Sequence, residues 1–228
     1  MTGEPEISEV AAMLADRSRL AMLSALADGK ALPAGELARL AHVSPQTASS
    51  HLSRMLEAGM LRVESQGRHR YYGLASDHLK HVLESMAVIA PARKPLTMLQ
   101  NEAADRLRFA RTCYGHLAGV LGVGLAEKLM SRRYLENSDA GWILTRAGER
   151  WFRDFGIPID SLRSARRPLI RTCLDWSERR YHVAGALGDA LANRCFELGW
   201  LARVRQSRAV RLTDRGSIAL KERFGLSL

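Results

Sequence analysis

The chain has 228 residues, and its 34 lysines and arginines against 24 aspartates and glutamates give a formal net charge of +10. This surplus favours an anionic partner, and nucleic acid is the first candidate. The three cysteines lack the spacing of a disulfide framework, which excludes a disulfide-stapled secreted domain and indicates a reducing compartment. The acidic start MTGEPEISEV is unlike a signal peptide, and the most apolar stretch is too short for a membrane span, so we expect a cytoplasmic location and no membrane partner.

The N-terminal part of the chain predicts a series of helices. Apolar residues at helical spacing over residues 7–27 predict two helices, the second capped by Asp16. The segment 33–43, PAGELARLAHV, predicts a short helix. The segment 44–59, SPQTASSHLSRMLEAG, predicts a longer helix, because Ser44 is a good N-cap, proline follows it at the first helical position, and glycine ends the segment.

A change of period then predicts a β-hairpin. Apolar and polar residues alternate in MLRVESQGRHRYYGL, and Gln66–Gly67 is a turn signal inside it. A further helix is predicted over 76–90, which completes a predicted domain of residues 1–90. The following segment, PARKP, contains two prolines and two basic residues, and it predicts a linker at 91–96.

The C-terminal part, 97–228, contains an internal repeat. Residues 116–157 match residues 182–226, and each copy predicts a helix, a short helix, a β-hairpin and a helix capped by a threonine. That order resembles a small winged-helix unit. The predicted fold class is therefore mainly α with short β-hairpins, and it combines an N-terminal winged helix-turn-helix with a duplicated winged-helix-like C-terminal domain.

Two helices, a turn and a basic hairpin form an arrangement that suits duplex DNA. A helix fits the major groove, where short polar side chains reach the edges of the DNA bases, while basic side chains of the β-hairpin contact phosphate. The predicted DNA-binding residues are Ser44, Gln46, Thr47, Ser49, Ser50, His51 and Arg54 on the helix and Arg68, His69 and Arg70 on the hairpin. A solvated helix face beside a basic loop is the alternative.

The segments ELARLAHVSPQTASSHLSRMLEAGML and GRHRYYGL, within residues 15–90, resemble the DNA-binding core of the ArsR/SmtB family of bacterial repressors. The resemblance implies a homodimer joined largely through the helices at 7–15 and 76–90. It also implies binding to double-stranded DNA at an imperfect palindrome near a promoter, and release when an inducer binds.

The metal sites that the resemblance implies are absent or incomplete in this sequence. The helix before the predicted recognition helix reads ELARLAHVS and has no cysteine cluster. In the last helix of the core, His81 and Glu84 match half of a zinc site, but the upstream pair is missing. The family core ends near residue 90, so the C-terminal domain is where we expect an inducer to act.

Five residues of the C-terminal domain are candidate sensor residues: Cys113, His116, Cys173, Asp175 and His182. Cys113 and His116 stand three apart on a predicted helix, which places them on one face. When the two histidines of the repeat are aligned, the cysteines fall out of register, because six extra residues precede His182. Duplication therefore explains the histidines better than the cysteines.

Four interpretations of these residues remain open. Two thiols and two imidazoles are a soft ligand set suited to zinc-like ions. The neighbouring Arg111 and Arg171 favour thiolates, as in a redox or electrophile sensor. A Cys–His–Asp set can act as nucleophile, base and orienter in a hydrolase. The fourth interpretation is that small cysteines pack an interface between the repeats, with the histidines capping helices or hydrogen-bonded inside.

The sequence as a whole predicts a dimeric transcriptional repressor and no enzyme. It predicts that DNA binding needs no cofactor and that the inducer is a metal ion, a thiol-reactive species or a small molecule; a divalent metal is the candidate for a bound ion. The alternative is a constitutive DNA-architectural or protein-interaction factor without an inducer.

Overall fold

The computed structural model describes residues 5–27, 29–67, 69–91, 97–139, 141–165, 167–205 and 207–228, apart from the side chains of Asp77 and Gln100. Internal contacts divide the chain into two units, Met1–Met86 and Ala87–Leu228. This division falls slightly before the predicted boundary at residue 90, and most of the predicted linker lies outside the described residues.

The first unit is a winged helix-turn-helix, as predicted. Its elements are α1 (Ile7–Ala15), α2 (Arg17–Leu26), β1 (Leu32–Pro33), α3 (Ala34–Leu40), α4 (Pro45–Glu57), β2 (Leu61–Gln66), β3 (His69–Leu74) and the start of α5 (Asp77–Ile89). The antiparallel sheet has the order β1–β3–β2, and β2 and β3 form the hairpin, or wing. The core between α2, α3 and α4 buries Leu23, Leu26, Leu37, Leu52 and Met55.

Both N-caps predicted in this unit are confirmed. The Asp16 carboxylate accepts hydrogen bonds from the backbone N–H of Ser18 and Arg19, at 3.0 and 2.9 Å. Ser44 Oγ accepts a hydrogen bond from Thr47 N at 3.1 Å. These caps satisfy helix-terminal N–H groups that have no partner inside the helix, and they fix where α2 and α4 begin.

The second unit begins with α6 (Met98–Phe109) and continues as two similar halves. The first half is β4 (Arg111–Cys113), β5 (His116–Ala118), α7 (Gly119–Ser131), β6 (Leu135–Ser138), β7 (Gly141–Leu144) and α8 (Arg146–Asp154). A short helix, α9 (Ile159–Arg163), joins it to the second half. That half is β8 (Arg171–Leu174), β9 (Tyr181–Ala184), α10 (Gly185–Glu197), β10 (Leu201–Arg203), β11 (Val210–Leu212) and α11 (Asp214–Phe224).

The structure confirms the duplication and corrects the predicted order of elements. Each repeat is a hairpin, a helix, a second hairpin and a helix, so a hairpin strand and one helix stand where two helices were predicted. The final helix of each repeat has the predicted threonine cap: Thr145 Oγ1 accepts from Gly148 N at 3.0 Å, and Thr213 Oγ1 accepts from Gly216 N at 2.9 Å.

The repeats pack across one another. Strand β5 of the first repeat contacts α10 of the second, while α7 of the first contacts β9 of the second, and β5 also contacts β9. The buried apolar core therefore draws on both halves, with Leu121 and Leu125 from α7 and Leu187 and Leu191 from α10. Among the described residues, no helix combines the length and apolar character that a membrane crossing requires.

In each repeat a glycine of the first helix packs closely against the backbone of the preceding strand, and this gives a stability prediction. A Cβ on Gly122 of α7 would lie 2.4 Å from the carbonyl oxygen of Leu117. Gly122→Ala should therefore lower the free energy of unfolding by about 1–3 kcal/mol, measured by urea unfolding followed through tryptophan fluorescence.

Gly124 of the same helix is the matched control. Its added Cβ would meet only the side chain of Leu226, at 3.0 Å, and alanine is favoured over glycine inside a helix by about 1 kcal/mol. Gly124→Ala should accordingly leave stability nearly unchanged. Equal losses for the two variants would count against the close approach at Gly122.

Candidate functional site

Helix α4 presents a polar face opposite its buried stripe. Ala48, Leu52 and Met55 are buried in the first unit. The predicted DNA-binding residues exposed on the other side of α4 and at its cap are Ser44, Gln46, Thr47, Ser49, Ser50 and Arg54. The cap hydroxyl also lies 2.9 Å from Thr47 Oγ1, so these two side chains are ordered at the start of the helix. The face has the amide, hydroxyl and guanidinium groups that hydrogen-bond to base edges and phosphates.

His51 differs from the other predicted DNA-binding residues of α4. Its ring is half-buried, with Nδ1 3.4 Å from Arg19 Nη1 and Nε2 3.8 Å from Asp16 Oδ1. Arg19 is itself held by the backbone carbonyl oxygens of Ala12 and Met13. The structure thus places His51 in the contact between α4 and the start of α2, so it is less exposed than the other predicted DNA-binding residues of α4.

The wing carries the other predicted DNA-binding residues. His69 and Arg70 are exposed on β3, and the Arg70 guanidinium lies 5.6 Å from the centroid of the Tyr72 ring. Arg68, the third predicted DNA-binding residue of the wing, lies outside the described residues. Arg62 on β2 has a different setting, because its Nε donates to Glu64 at 3.1 Å. Arg70 is therefore the described wing arginine without an acidic partner in its own hairpin.

In the second unit, the candidate cysteines and histidines lie on β-hairpins and not on a helix, which corrects the sequence prediction. Cys113 is the cross-strand partner of His116 in the β4–β5 pair, and Cys173 is the cross-strand partner of His182 in the β8–β9 pair. The cysteines are thus equivalent in the two repeats. The six extra residues add one strand pair, Leu174 with Tyr181, and lengthen the turn between β8 and β9, which leaves the pairing of Cys173 with His182 intact.

The cross-packing of the repeats brings these four side chains into one cluster. One ring nitrogen of each histidine and the two sulfurs all lie within 4.8 Å of one another. The sulfurs of Cys113 and Cys173 are 3.9 Å apart, and the imidazole centroids are 5.0 Å apart with planes tilted by 38°. His116 is 4% exposed and His182 is 1% exposed. We call Cys113, His116, Cys173 and His182 the Cys–His cluster.

The electrostatics of the cluster favour a thiolate, but not for the reason expected from the sequence. The thiol of Cys113 and then the imidazoles of His116 and His182 lower the pKa of Cys173 to about 2, against the opposing effect of burial. The neighbouring Arg111 is instead paired with Asp175, at 2.9 Å. By contrast, burial raises the pKa of Cys195, which lies outside the cluster, to about 12.

Asp175 is the polar centre of this region and is fully buried. Its carboxylate accepts hydrogen bonds from Arg111 Nη2 at 2.9 Å and from Gly119 N at 2.6 Å, and also from Ser177 and Glu178. Burial opposes ionisation, yet the interaction with the His182 imidazole, the charge of Arg111 and the hydrogen bonds from Gly119 and Arg111 hold the pKa of Asp175 well below its usual range. The residue is therefore a buried carboxylate that ties the two repeats together.

Two further residues of this site were not predicted from the sequence. The sequence indicates only that Arg111 is a basic residue close to a cysteine. In the structure Arg111 is fully buried, and its guanidinium lies 4.1 Å from the centroid of the Trp176 ring. Asp189 on α10 places Oδ1 3.6 Å from Nδ1 of His116. Helical periodicity carried a signal for Asp189, since it interrupts the apolar run GALGDALA, but nothing in the sequence connects it to a histidine of the other repeat.

The hydrolase interpretation is matched by only part of the geometry. Asp175 Oδ2 lies 3.3 Å from His182 Nδ1, and Cys173 is across the strand pair from that histidine. The sulfur of Cys173, however, faces the sulfur of Cys113.

A cavity of about 610 Å³ in this unit is lined by residues of α6, the β10–β11 hairpin and the start of α11, including Phe109, Val210 and Leu212. None of its lining residues belongs to the cluster.

A family model matches part of the first unit, and a known protein can be aligned with nearly the whole chain. Residues 14–64 match the family model described as a helix-turn-helix domain. A protein of Bacillus subtilis (strain 168) named "Uncharacterized HTH-type transcriptional regulator YdfF" is 43% identical over 224 residues, which cover 98% of this chain and 99% of that protein. The chain belongs to the helix-turn-helix (HTH)-type transcriptional regulators. As a regulator of this type it binds DNA through the first unit.

Solved structures are similar to part of this regulator. NolR from Sinorhizobium fredii is 23% identical and covers 38% of this chain and 86% of its own, with a TM-score of 0.35. The cadmium metal-sensor CMTR from Mycobacterium tuberculosis is 28% identical and covers 40% of this chain and 93% of its own, with a TM-score of 0.33.

Proposed function

We propose that the protein is a cytoplasmic, homodimeric repressor that binds an imperfect palindrome near a promoter and leaves it when the C-terminal unit binds an inducer. The observation that carries the proposal is the exposed polar face of α4. Its Gln46, Ser50 and Arg54 side chains are exposed on a helix whose other side is fixed in the core. A helix held in this way can enter the major groove and hydrogen-bond to base edges.

Exposed apolar side chains on two helices support the dimer. Ile7 and Val10 of α1 are 73% and 40% exposed, and Val82 and Ile89 of α5 are 41% and 83% exposed. These are the two helices through which the family resemblance implies that dimers form. Burying such side chains between two copies stabilises a dimer by removing apolar surface from water, and a two-fold dimer matches a palindromic site.

The experiment is a mobility shift on the DNA upstream of the protein's own gene, combined with sedimentation of the complex. The proposal expects a complex with two protein copies per site, and dissociation when one class among metal ions, oxidants and small aromatic molecules is added. A single copy per site, or binding that no added class changes, counts against the dimeric, inducible repressor. The latter result favours a constitutive DNA-architectural factor.

The wing gives a separate prediction about salt. Replacing Arg70 by Gln should weaken binding to all DNA sequences alike, because an interaction with phosphate carries no base information. The slope of log affinity against log salt concentration should fall by about 0.9, since one fewer phosphate is neutralised. Mobility shifts at several salt concentrations measure both effects.

Arg62→Gln is the matched control in the same hairpin. The Arg62 guanidinium already donates to Glu64 and to the carbonyl oxygen of Leu74, so its replacement should leave the salt slope unchanged. If Arg70→Gln changes the base preference and keeps the salt slope, the wing does not contact phosphate through Arg70.

A further inference from the structure

The Cys–His cluster is assembled from two equivalent half-sites. Each repeat supplies one cysteine and one histidine as cross-strand partners, and the contact of β5 with β9 brings the pairs together. Among the side chains that the structure describes, this is the group of cysteine, histidine and acidic residues whose ligand atoms converge. The usual metal sites implied by the family resemblance lie in the winged helix-turn-helix, so this cluster is a separate feature of the C-terminal unit.

The distance between the two sulfurs fits a small tetrahedral ion. Two sulfurs bound to such an ion at about 2.3 Å lie about 3.8 Å from each other, and the sulfurs of Cys113 and Cys173 are 3.9 Å apart. The two imidazoles come from β5 and β9, with ring centroids 5.0 Å apart and planes tilted by 38°. Two thiolates and two imidazoles form the soft donor set that selects zinc-like ions over magnesium or calcium.

Ring nitrogens of both cluster histidines are buried and have no hydrogen-bond partner in the described part of the chain, namely Nε2 of His116 and both Nδ1 and Nε2 of His182. Asp189 Oδ1, beside Nδ1 of His116, also has none. Burying such a group without a partner costs free energy, and a bound ion would remove that cost. This observation points to a ligand independently of the sulfur distance.

Carboxylates lie beside the opposite nitrogen of each ring. Asp189 Oδ1 is 3.6 Å from Nδ1 of His116, and Asp175 Oδ2 is 3.3 Å from Nδ1 of His182. Histidines that bind metals usually turn the other ring nitrogen to a carboxylate or carbonyl, which orients the ring and raises its basicity. Asp189 is held in turn by Arg167 at 2.9 Å, and a Cβ on Gly115 would clash with Asp189, so this carboxylate is closely packed.

We propose that Cys113, His116, Cys173 and His182 bind one zinc-like divalent ion, with Asp189 and Asp175 as positioning residues behind the two histidines. Binding uses Nε2 of each imidazole and the sulfur of each cysteine as a thiolate, and any proton carried by a coordinating sulfur or nitrogen is released to solvent. The inference identifies the bound ion as the inducer of the C-terminal unit, and in that respect it rests on the proposed function. Metal binding itself is measured without DNA, so the metal site and the proposed function can be contradicted separately.

The experiment is a titration of the reduced, chelator-treated full-length protein with Co²⁺, followed by displacement with Zn²⁺. We expect one ion per chain, the visible bands of tetrahedral cobalt and a thiolate charge-transfer band. Cys113→Ser and Cys173→Ser should each weaken the charge-transfer band and the affinity, while Cys195→Ser is the matched control and should keep both. The absence of tetrahedral bands in the reduced wild-type protein overturns the proposal.

A variant that leaves all four ligands in place guards against misfolding. Asp189→Asn should lower Co²⁺ affinity roughly 10–100-fold with the visible bands retained, and circular dichroism checks that each variant folds. Unchanged affinity in Asp189→Asn and in both cluster cysteine variants overturns the site. So does a Cys113–Cys173 disulfide formed in air by a protein that binds no metal when reduced, since it assigns the pair to thiol oxidation.

The same samples report on the proposed function. If the ion is the inducer, loading should weaken binding to the upstream DNA by roughly 5–150-fold, the range of typical coupling between two sites. Metal binding without any change in DNA affinity keeps the site and overturns its role as the inducer site. Loss of sequence-selective DNA binding in the metal-free protein overturns the proposed function and leaves the metal site standing.

Discussion

Replacing Asp175 by Ala should lower the free energy of unfolding of the C-terminal unit by about 3–5 kcal/mol, because it leaves the buried Arg111 guanidinium without a counter-charge. It also removes the acceptor for Gly119 N at the junction of β5 and α7. Urea unfolding followed by tryptophan fluorescence measures the loss. All four tryptophans of the chain lie in this unit, so the signal reports on it alone.

An exposed ion pair in the same unit provides the control for this variant. Asp160 pairs with Arg153 at 2.7 Å, and the Asp160 side chain is 78% exposed. Because exposed pairs are screened by water and salt, Asp160→Ala should leave the unfolding curve nearly unchanged. The assignment of Asp175 as the polar centre is wrong if the two variants lose the same stability.

The second large effect concerns base recognition. Gln46→Ala should reduce the preference for one base pair in each half-site by about 1–3 kcal/mol, since a glutamine amide that bonds adenine at two atoms loses both bonds. Affinities for a set of single-substitution operators measure the change. The overall salt dependence should stay as in the wild-type protein, because the number of neutralised phosphates does not change.

Gln66→Ala is the control of matched residue type, since Gln66 is exposed at the end of β2 in the wing. Its replacement should leave the base preference unaltered. The docking of α4 would have to be abandoned if Ala substitutions at Gln46, Ser50 and Arg54 all left every base preference as it was.

Local signals made the first unit predictable from the sequence. Asp16 and Ser44 act as caps through their own neighbouring N–H groups, and the β2–β3 turn lies where Gln66–Gly67 predicted it. Each of these features depends on a few consecutive residues, so no knowledge of the tertiary fold was needed. The contacts of His51 could not be predicted, because they involve Asp16 and Arg19, which are distant in sequence.

The C-terminal unit was less predictable because its strands are three or four residues long. A Cys–His spacing of three fits one face of a helix, but it fits equally well two residues that flank a tight turn. Tyr114, with φ of 64°, begins that turn. The membership of the Cys–His cluster was predicted, whereas its convergence depends on the cross-packing of two repeats, which no local pattern encodes.

Sequence-selective DNA binding through α4 is the central claim, and footprinting on the protein's own upstream DNA tests it most directly. With a competing shuffled DNA of equal length at physiological salt, we predict a discrete protected palindrome. Affinity for that site should exceed affinity for the shuffled DNA by a factor of about 10³ or more. Uniform protection along both DNAs with equal affinity would contradict the claim.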